Sequence, residues 1–133
     1  MIKRIHHIGI AVQDLEEPRN FFENILGLKP DECENFGELQ FSFIPAGGTA
    51  LELLRSTTPE GLIQKFVAKK GQGLHHLAMQ VDDIQAELDR LKENGVALIN
   101  DRPYRNAHRE LVAFLHPKST FGILIELVQA ESK

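Results

Sequence analysis

A short phrase occurs twice in this chain, and the spacing of its copies limits the folds open to it. His6-His7-Ile8-Gly9-Ile10-Ala11-Val12 returns, degraded, as His75-His76-Leu77-Ala78-Met79-Gln80-Val81, 69 residues later. In each copy an aspartate stands two places beyond the valine (Asp14, Asp83), followed by an aliphatic residue (Leu15, Ile84) and a helix-like run. The copies also end alike. Ala50-Leu51-Glu52-Leu53-Leu54 and Leu124-Ile125-Glu126-Leu127-Val128 each set one carboxylate inside an apolar strand. A chain of 133 residues, 42% hydrophobic, has room for one compact domain and not for two ordinary ones. Two half-size modules sharing a core satisfy both facts, with module one over about 4–56, a linking helix over about 58–70 and module two over about 74–129.

Local patterns fill in the modules. Residues 4–12 alternate, with Ile8, Ile10 and Val12 on one face and His7, Gly9 and Ala11 on the other. The first face is expected to pack, and the second, lined by small residues, to border a cavity. Asp14 is an N-cap candidate for a helix to about Leu26, which Gly27 ends. Leu28–Glu34 reads as a weaker extended segment, Glu38–Ile44 as a strand, Pro45-Ala46-Gly47-Gly48 as a turn, and Thr49–Arg55 as the strand of Glu52. Thr58-Pro59 predicts the start of the linking helix. The second module repeats the order: strand 74–81, a helix from Asp83 to Gly95, strand Val96–Ile99, a polar loop over 101–109, and strands Leu111–Leu115 and Ile123–Val128. This is an α+β pattern of two strand-helix-strand-strand-strand units. A doubly wound parallel sheet would need a helix between most strands and a glycine-rich phosphate turn, which the chain lacks.

The matched positions supply a donor set. Neighbours on a strand point to opposite faces, so in both copies the second histidine, His7 or His76, shares the face of the small or polar residues. Glu52 and Glu126 lie in runs so apolar that an unpaired carboxylate there would cost several kcal/mol. One histidine or one glutamate alone would read as a structural residue. Four at matched places in two related modules read as two imidazoles and two carboxylates for one divalent ion, with Co²⁺, Ni²⁺, Zn²⁺, Mn²⁺ or Fe²⁺ suited to the set. His6 and His75 are read as structural.

Composition excludes other classes. A net charge of -4 and a pI near 5.8 argue against non-specific nucleic-acid binding, which needs a basic surface. The single cysteine, Cys33, allows no internal disulfide and points to a reducing compartment such as the cytoplasm. No window approaches the ~20 apolar residues of a membrane span.

These residues resemble the vicinal oxygen chelate superfamily of paired βαβββ modules, over about Arg4 to Gln129. The branch most similar is the family of methylmalonyl-CoA epimerases. The likeness lies in His7-Ile8-Gly9-Ile10-Ala11-Val12, Leu51-Glu52-Leu53-Leu54, Gly73-Leu74-His75-His76-Leu77-Ala78, Val81-Asp82-Asp83-Ile84, and above all Ala113-Phe114-Leu115-His116-Pro117-Lys118-Ser119-Thr120 leading to Gly122-Ile123-Leu124-Ile125-Glu126-Leu127. The resemblance implies a curved eight-stranded mixed sheet around a metal-binding cavity, a metal held by His7, Glu52, His76 and Glu126, an acyl-CoA substrate and a homodimer. It implies proton removal α to the thioester, with Glu126 serving one face and Glu52, or a metal-bound water, the other. Some members carry a glutamate base in the strand before the first acidic ligand. An ungapped count back from Pro45 puts Gln40 there, which cannot act as a base. Gln40, Arg105, His108, Arg109, His116 and Lys118 are candidate substrate contacts, the last five because residues 101–118 hold an excess of cations for CoA phosphates; a solvated loop is the competing reading. A glyoxalase I-type lyase shares the metal set but usually has an Asp-Pro-Asp-Gly turn where His116-Pro117-Lys118 stands here. A ligand-sequestering resistance protein of the same fold is the non-enzymatic alternative, against which the four donors weigh. An extradiol dioxygenase typically uses two histidines and a single carboxylate.

Overall fold

The computed structural model describes residues 1–130. Its strands are β1 (Ile2–Ala11), β2 (Glu34–Phe36), β3 (Leu39–Ala46), β4 (Thr49–Ser56), β5 (Gly73–Val81), β6 (Tyr104–Arg105), β7 (Leu111–Leu115) and β8 (Ile125–Gln129). The helices are α1 (Glu16–Asn20), continued by a π turn over Phe21–Ile25, then α2 (Leu62–Lys70) and α3 (Ile84–Glu93). The eight strands make a mixed sheet in the order β2-β3-β4-β1-β5-β8-β7-β6. Pairs β1·β4 and β5·β8 are parallel, whereas β2·β3, β3·β4, β6·β7 and β7·β8 are antiparallel. The doubled order that the repeat predicts is present.

Two compact units divide the chain, one of His7–His75 and one of Met1–His6 together with the residues from His76 onward. The boundaries fall inside β1 and β5. The start of β1 is tied into the second unit by polar contacts. Arg4 Nε donates to Gln80 Oε1 at 2.9 Å, Lys3 pairs with Asp82 at 3.0 Å, and His6 Nε2 lies 3.3 Å from Glu110 Oε2.

In the unit of His7–His75, Val12, Leu15, Ile44 and Leu53 are buried together, with Ile10, Phe22, Leu28 and Leu51 packed on them. Arg19 reaches across this unit, donating from Nε to Ser42 Oγ at 3.1 Å and from Nη2 to the Asp31 carbonyl at 2.9 Å. The buried Ser42 hydroxyl in turn donates to Asp31 O at 2.8 Å, so its polar atom is satisfied. The other unit buries Val81, Ile84, Leu88, Ala113, Leu115 and Leu127. Both aspartates behave as their place in the repeat predicts: Asp14 accepts from Glu17 N and Asp83 from Ala86 N, each at 3.1 Å.

Five elements differ from expectation. Helix α2 begins at Leu62 and not near Thr58, because the buried Ser56 Oγ accepts from both Ile63 N and Gln64 N at 3.0 Å and caps the helix from β4. The extended segment expected over Leu28–Glu34 forms a strand only at its end, as β2. Val96–Ile99 makes no strand: Leu98 bridges Leu115 singly, while Ala97 N donates to Ser119 Oγ at 2.9 Å. The last strand on that side is β6, inside the expected polar loop. On β1, His7, Gly9 and Ala11 are buried and Ile8 and Ile10 are half-buried, so both faces are covered.

Candidate metal centre

In the unit of His7–His75, β1 and β4 run parallel with Gly9 opposite Glu52. Registered partners share a sheet face, as do residues two apart on a strand, so His7 and Glu52 stand side by side. His7 Nε2 lies 3.4 Å from Glu52 Oε1, and the two side chains are 6% and 15% exposed. Phe43 of β3, opposite Glu52, presents its ring to His7 edge-on at 5.4 Å.

The other unit repeats this arrangement. Ala78 of β5 stands opposite Glu126 of β8, so His76, two residues before Ala78, shares the face of Glu126. His76 Nε2 lies 3.4 Å from Glu126 Oε1, with side chains 7% and 9% exposed. Phe114 of β7, opposite Glu126, meets the His76 ring at 6.1 Å. Each unit thus builds a buried His–Glu pair backed by one phenylalanine. The phenylalanines keep the surroundings of the donors apolar, which strengthens binding of a charged partner.

The separation of 3.4 Å is longer than the ~2.7–3.2 Å of a good nitrogen–oxygen hydrogen bond. It does match two donors on one ion, since tetrahedral bonds of ~2.0–2.2 Å set neighbouring donors about 3.4 Å apart. Donor type, burial and spacing in each pair therefore fit a divalent metal.

The remaining candidates are placed differently. Gln40 is registered with Arg55, on the face opposite Phe43 and Glu52, and accepts from Arg55 Nε at 2.8 Å. That position removes it from the donor face. Arg105 stands on the β6 face away from Glu126, and its Nη1 donates to the Arg109 carbonyl at 2.6 Å. Asn106 Oδ1 accepts from His108 N and Glu110 N, both at 2.9 Å, which folds the loop back on itself around Arg109 at φ 63. His116 Nδ1 accepts from Lys118 N at 3.1 Å, so this histidine caps the 3-10 turn of Pro117–Ser119 that leads to β8. His6 contacts Glu110, and His75 packs edge-on against Phe66 at 4.9 Å, the structural roles expected of both.

One carboxylate on this face lies outside the sequence pattern. Glu34 of β2 is registered with Phe41 of β3, and Phe41 shares the face of Phe43 and Glu52. Glu34 therefore belongs to the donor face of its unit, although it lies in a strand of three residues.

Comparison with known proteins places this geometry. Residues 6–114 match the family described as the Glyoxalase/Bleomycin resistance protein/Dioxygenase superfamily. The chain belongs to this superfamily. Among superfamily relatives, it is 38% identical over 134 residues to the ethylmalonyl-CoA/methylmalonyl-CoA epimerase of Cereibacter sphaeroides, covering 97% of this chain and 99% of that protein. It is 38% identical over 130 residues to the human mitochondrial methylmalonyl-CoA epimerase, covering 96% and 74% respectively. Streptomyces coelicolor methylmalonyl-CoA epimerase, solved in complex with 2-nitronate-propionyl-CoA, superposes with a TM-score of 0.92 at 30% identity, over 99% of this chain and 97% of that one. Among the described residues no helix is long and apolar enough to cross a membrane.

Proposed function

We propose that this chain is a methylmalonyl-CoA epimerase, interconverting the (R) and (S) forms by moving the proton α to the thioester. One observation carries the reading: the His–Glu pair occurs twice at equivalent register and equal spacing, in a chain akin to epimerases over nearly its whole length. His7, Glu52, His76 and Glu126 are the proposed donors to the metal. Two imidazoles and two carboxylates suit Co²⁺, Zn²⁺, Ni²⁺, Mn²⁺ or Fe²⁺, with Co²⁺ the proposed active ion. When bound, a divalent ion supplies a Lewis acid where negative charge develops on the thioester oxygen.

The chain's own residues move the proton. Glu126 is the proposed base on one face of the substrate: its carboxylate takes the α proton, and the C–H electrons pass into the enolate. A carboxylic acid on the other face then delivers a proton to the same carbon, giving the opposite configuration. Glu52 is one candidate for that second face. Glu34 is the stronger one, since it stands on the same sheet face as Glu52 without being one of the four metal donors. The same two groups exchange roles in the reverse direction. A homodimer in a reducing compartment such as the cytoplasm, with Cys33 exposed as a free thiol, completes the proposal.

The test is mass spectrometry of methylmalonyl-CoA incubated in D₂O with the Co²⁺-loaded protein. Deuterium uptake at the α carbon, well above a protein-free control and lost on chelation, is the expected result. No uptake above control would overturn the reading and turn attention to glutathione hemithioacetals.

A further inference from the structure

The epimerase reading leaves unanswered how the site distinguishes a malonyl thioester from a simple acyl thioester, and register points to a residue on β6. Tyr104 is opposite Val112 of β7, and Phe114, two residues along β7, is opposite Glu126. Tyr104 therefore lies on the sheet face of Glu126 and His76, at the free edge of that unit's strands. A tyrosine phenol ordinarily ionises only near pH ~10 and so keeps its proton at neutral pH. At neutral pH the group is a hydrogen-bond donor. Among the described residues its hydroxyl has no hydrogen-bond partner.

The counterpart of Tyr104 in the other unit is Glu34. Each stands opposite the residue two before a phenylalanine (Phe43 or Phe114), and that phenylalanine stands opposite the metal-type glutamate (Glu52 or Glu126). The two modules have thus diverged at one equivalent place, a carboxylate in one and a phenol in the other. A carboxylate accepts a proton, whereas a protonated phenol offers one to an anion. The substrate brings such an anion in its free carboxylate, next to the reacting carbon.

We propose that the Tyr104 hydroxyl donates a hydrogen bond to the free carboxylate of the bound 2-substituted malonyl thioester, and so selects acyl groups that carry that carboxylate. The inference rests on the epimerase reading and deepens it. Arg105 does not compete for this role, because it projects from the opposite face of β6.

Steady-state kinetics of Tyr104→Phe tests it, with propionyl-CoA, which lacks the carboxylate, as a competitive inhibitor. The substitution keeps the ring of a residue that is 45% exposed on an edge strand, so the fold tolerates it. The expected result is a KM for methylmalonyl-CoA raised about ten- to hundredfold, the worth of one hydrogen bond to a charged group. Expected alongside are a kcat within about threefold of the parent and an unchanged inhibition constant for propionyl-CoA. An unchanged KM overturns the inference. So does a parallel rise in KM and the inhibition constant, which would mean lost packing, or a fall in kcat at constant KM, which would assign the phenol to the enolate. The unsubstituted protein's deuterium exchange is read separately: its absence would overturn the epimerase reading, and this inference with it.

Discussion

Glu34 of β2 stands opposite Phe41 of β3, and this pairing sets its carboxylate on the sheet face that carries Glu52. Glu52 is proposed as a metal ligand, so a carboxylate in register beyond it can serve as a proton carrier without surrendering a ligand. Glu34→Gln is expected to lower kcat by about 10²–10⁴-fold, the usual worth of a positioned acid or base. Bound metal, measured by atomic emission, should stay at the parent level. A near-normal rate would return the second face to Glu52.

The His–Glu pairs give a second expectation. His76→Ala should weaken divalent-ion binding by more than about tenfold, since losing even an outer-shell partner of a ligand costs that much. Glu126→Gln should abolish epimerisation, because that carboxylate is proposed both as ligand and as base. Titration calorimetry with Co²⁺ and the exchange assay read the two effects apart. Full metal occupancy with near-normal turnover in Glu126→Gln would remove Glu126 from the mechanism.

The central strands were legible because the repeat is written in them. His7, Glu52, His76 and Glu126 lie in runs long and apolar enough to fix both strand and face, and the structure puts each histidine beside its glutamate. The edge strands were not. β2 and β6 are three and two residues long and exist through pairing with β3 and β7, so neither has a periodicity of its own to read. Gln40 shows what pattern reading lost. A count along the chain picked it, but the two-residue Gly47-Gly48 turn, with Gly47 at φ 69, fixes the β3–β4 register and sets Phe43 opposite Glu52. Alternation from Phe43 then sends Gln40 to the other face.

The join between β4 and α2 gives a stability prediction. A Cβ on Gly61 would overlap the Cβ and Oγ of Ser56 as well as the end of the Glu38 side chain. The Glu38 carboxylate can swing aside. Ser56 cannot, because its hydroxyl accepts from Ile63 N and Gln64 N and holds the start of α2. Gly61→Ala should therefore cost about 1–3 kcal/mol, the usual range for overpacking. The urea midpoint measures it, and an unchanged midpoint would mean that α2 can lift from Ser56 without loss.

Glu87 on α3 makes stability depend on pH. Its side chain is only 6% exposed; Oε1 accepts from the Arg90 guanidinium, and Oε2 lies 3.2 Å from the Met1 ammonium. The hydrogen bond from Arg90 is the largest influence and lowers the carboxyl pKa; burial opposes it, and the terminal ammonium adds to the lowering. A carboxyl depressed in the folded state contributes stability above its unfolded pKa of ~4.3, and that contribution is lost as pH falls through the depressed folded value. Glu87→Gln should melt below the parent at pH 7, and the gap should narrow below about pH 4 as the parent's carboxylate protonates. Arg90 is 54% exposed, so added salt should shrink the gap at pH 7 as well. Thermal melts of both proteins from pH 3 to pH 7 check this. A gap that stays constant across that range would assign the effect of Glu87 to packing and hydrogen-bond geometry, independent of its charge.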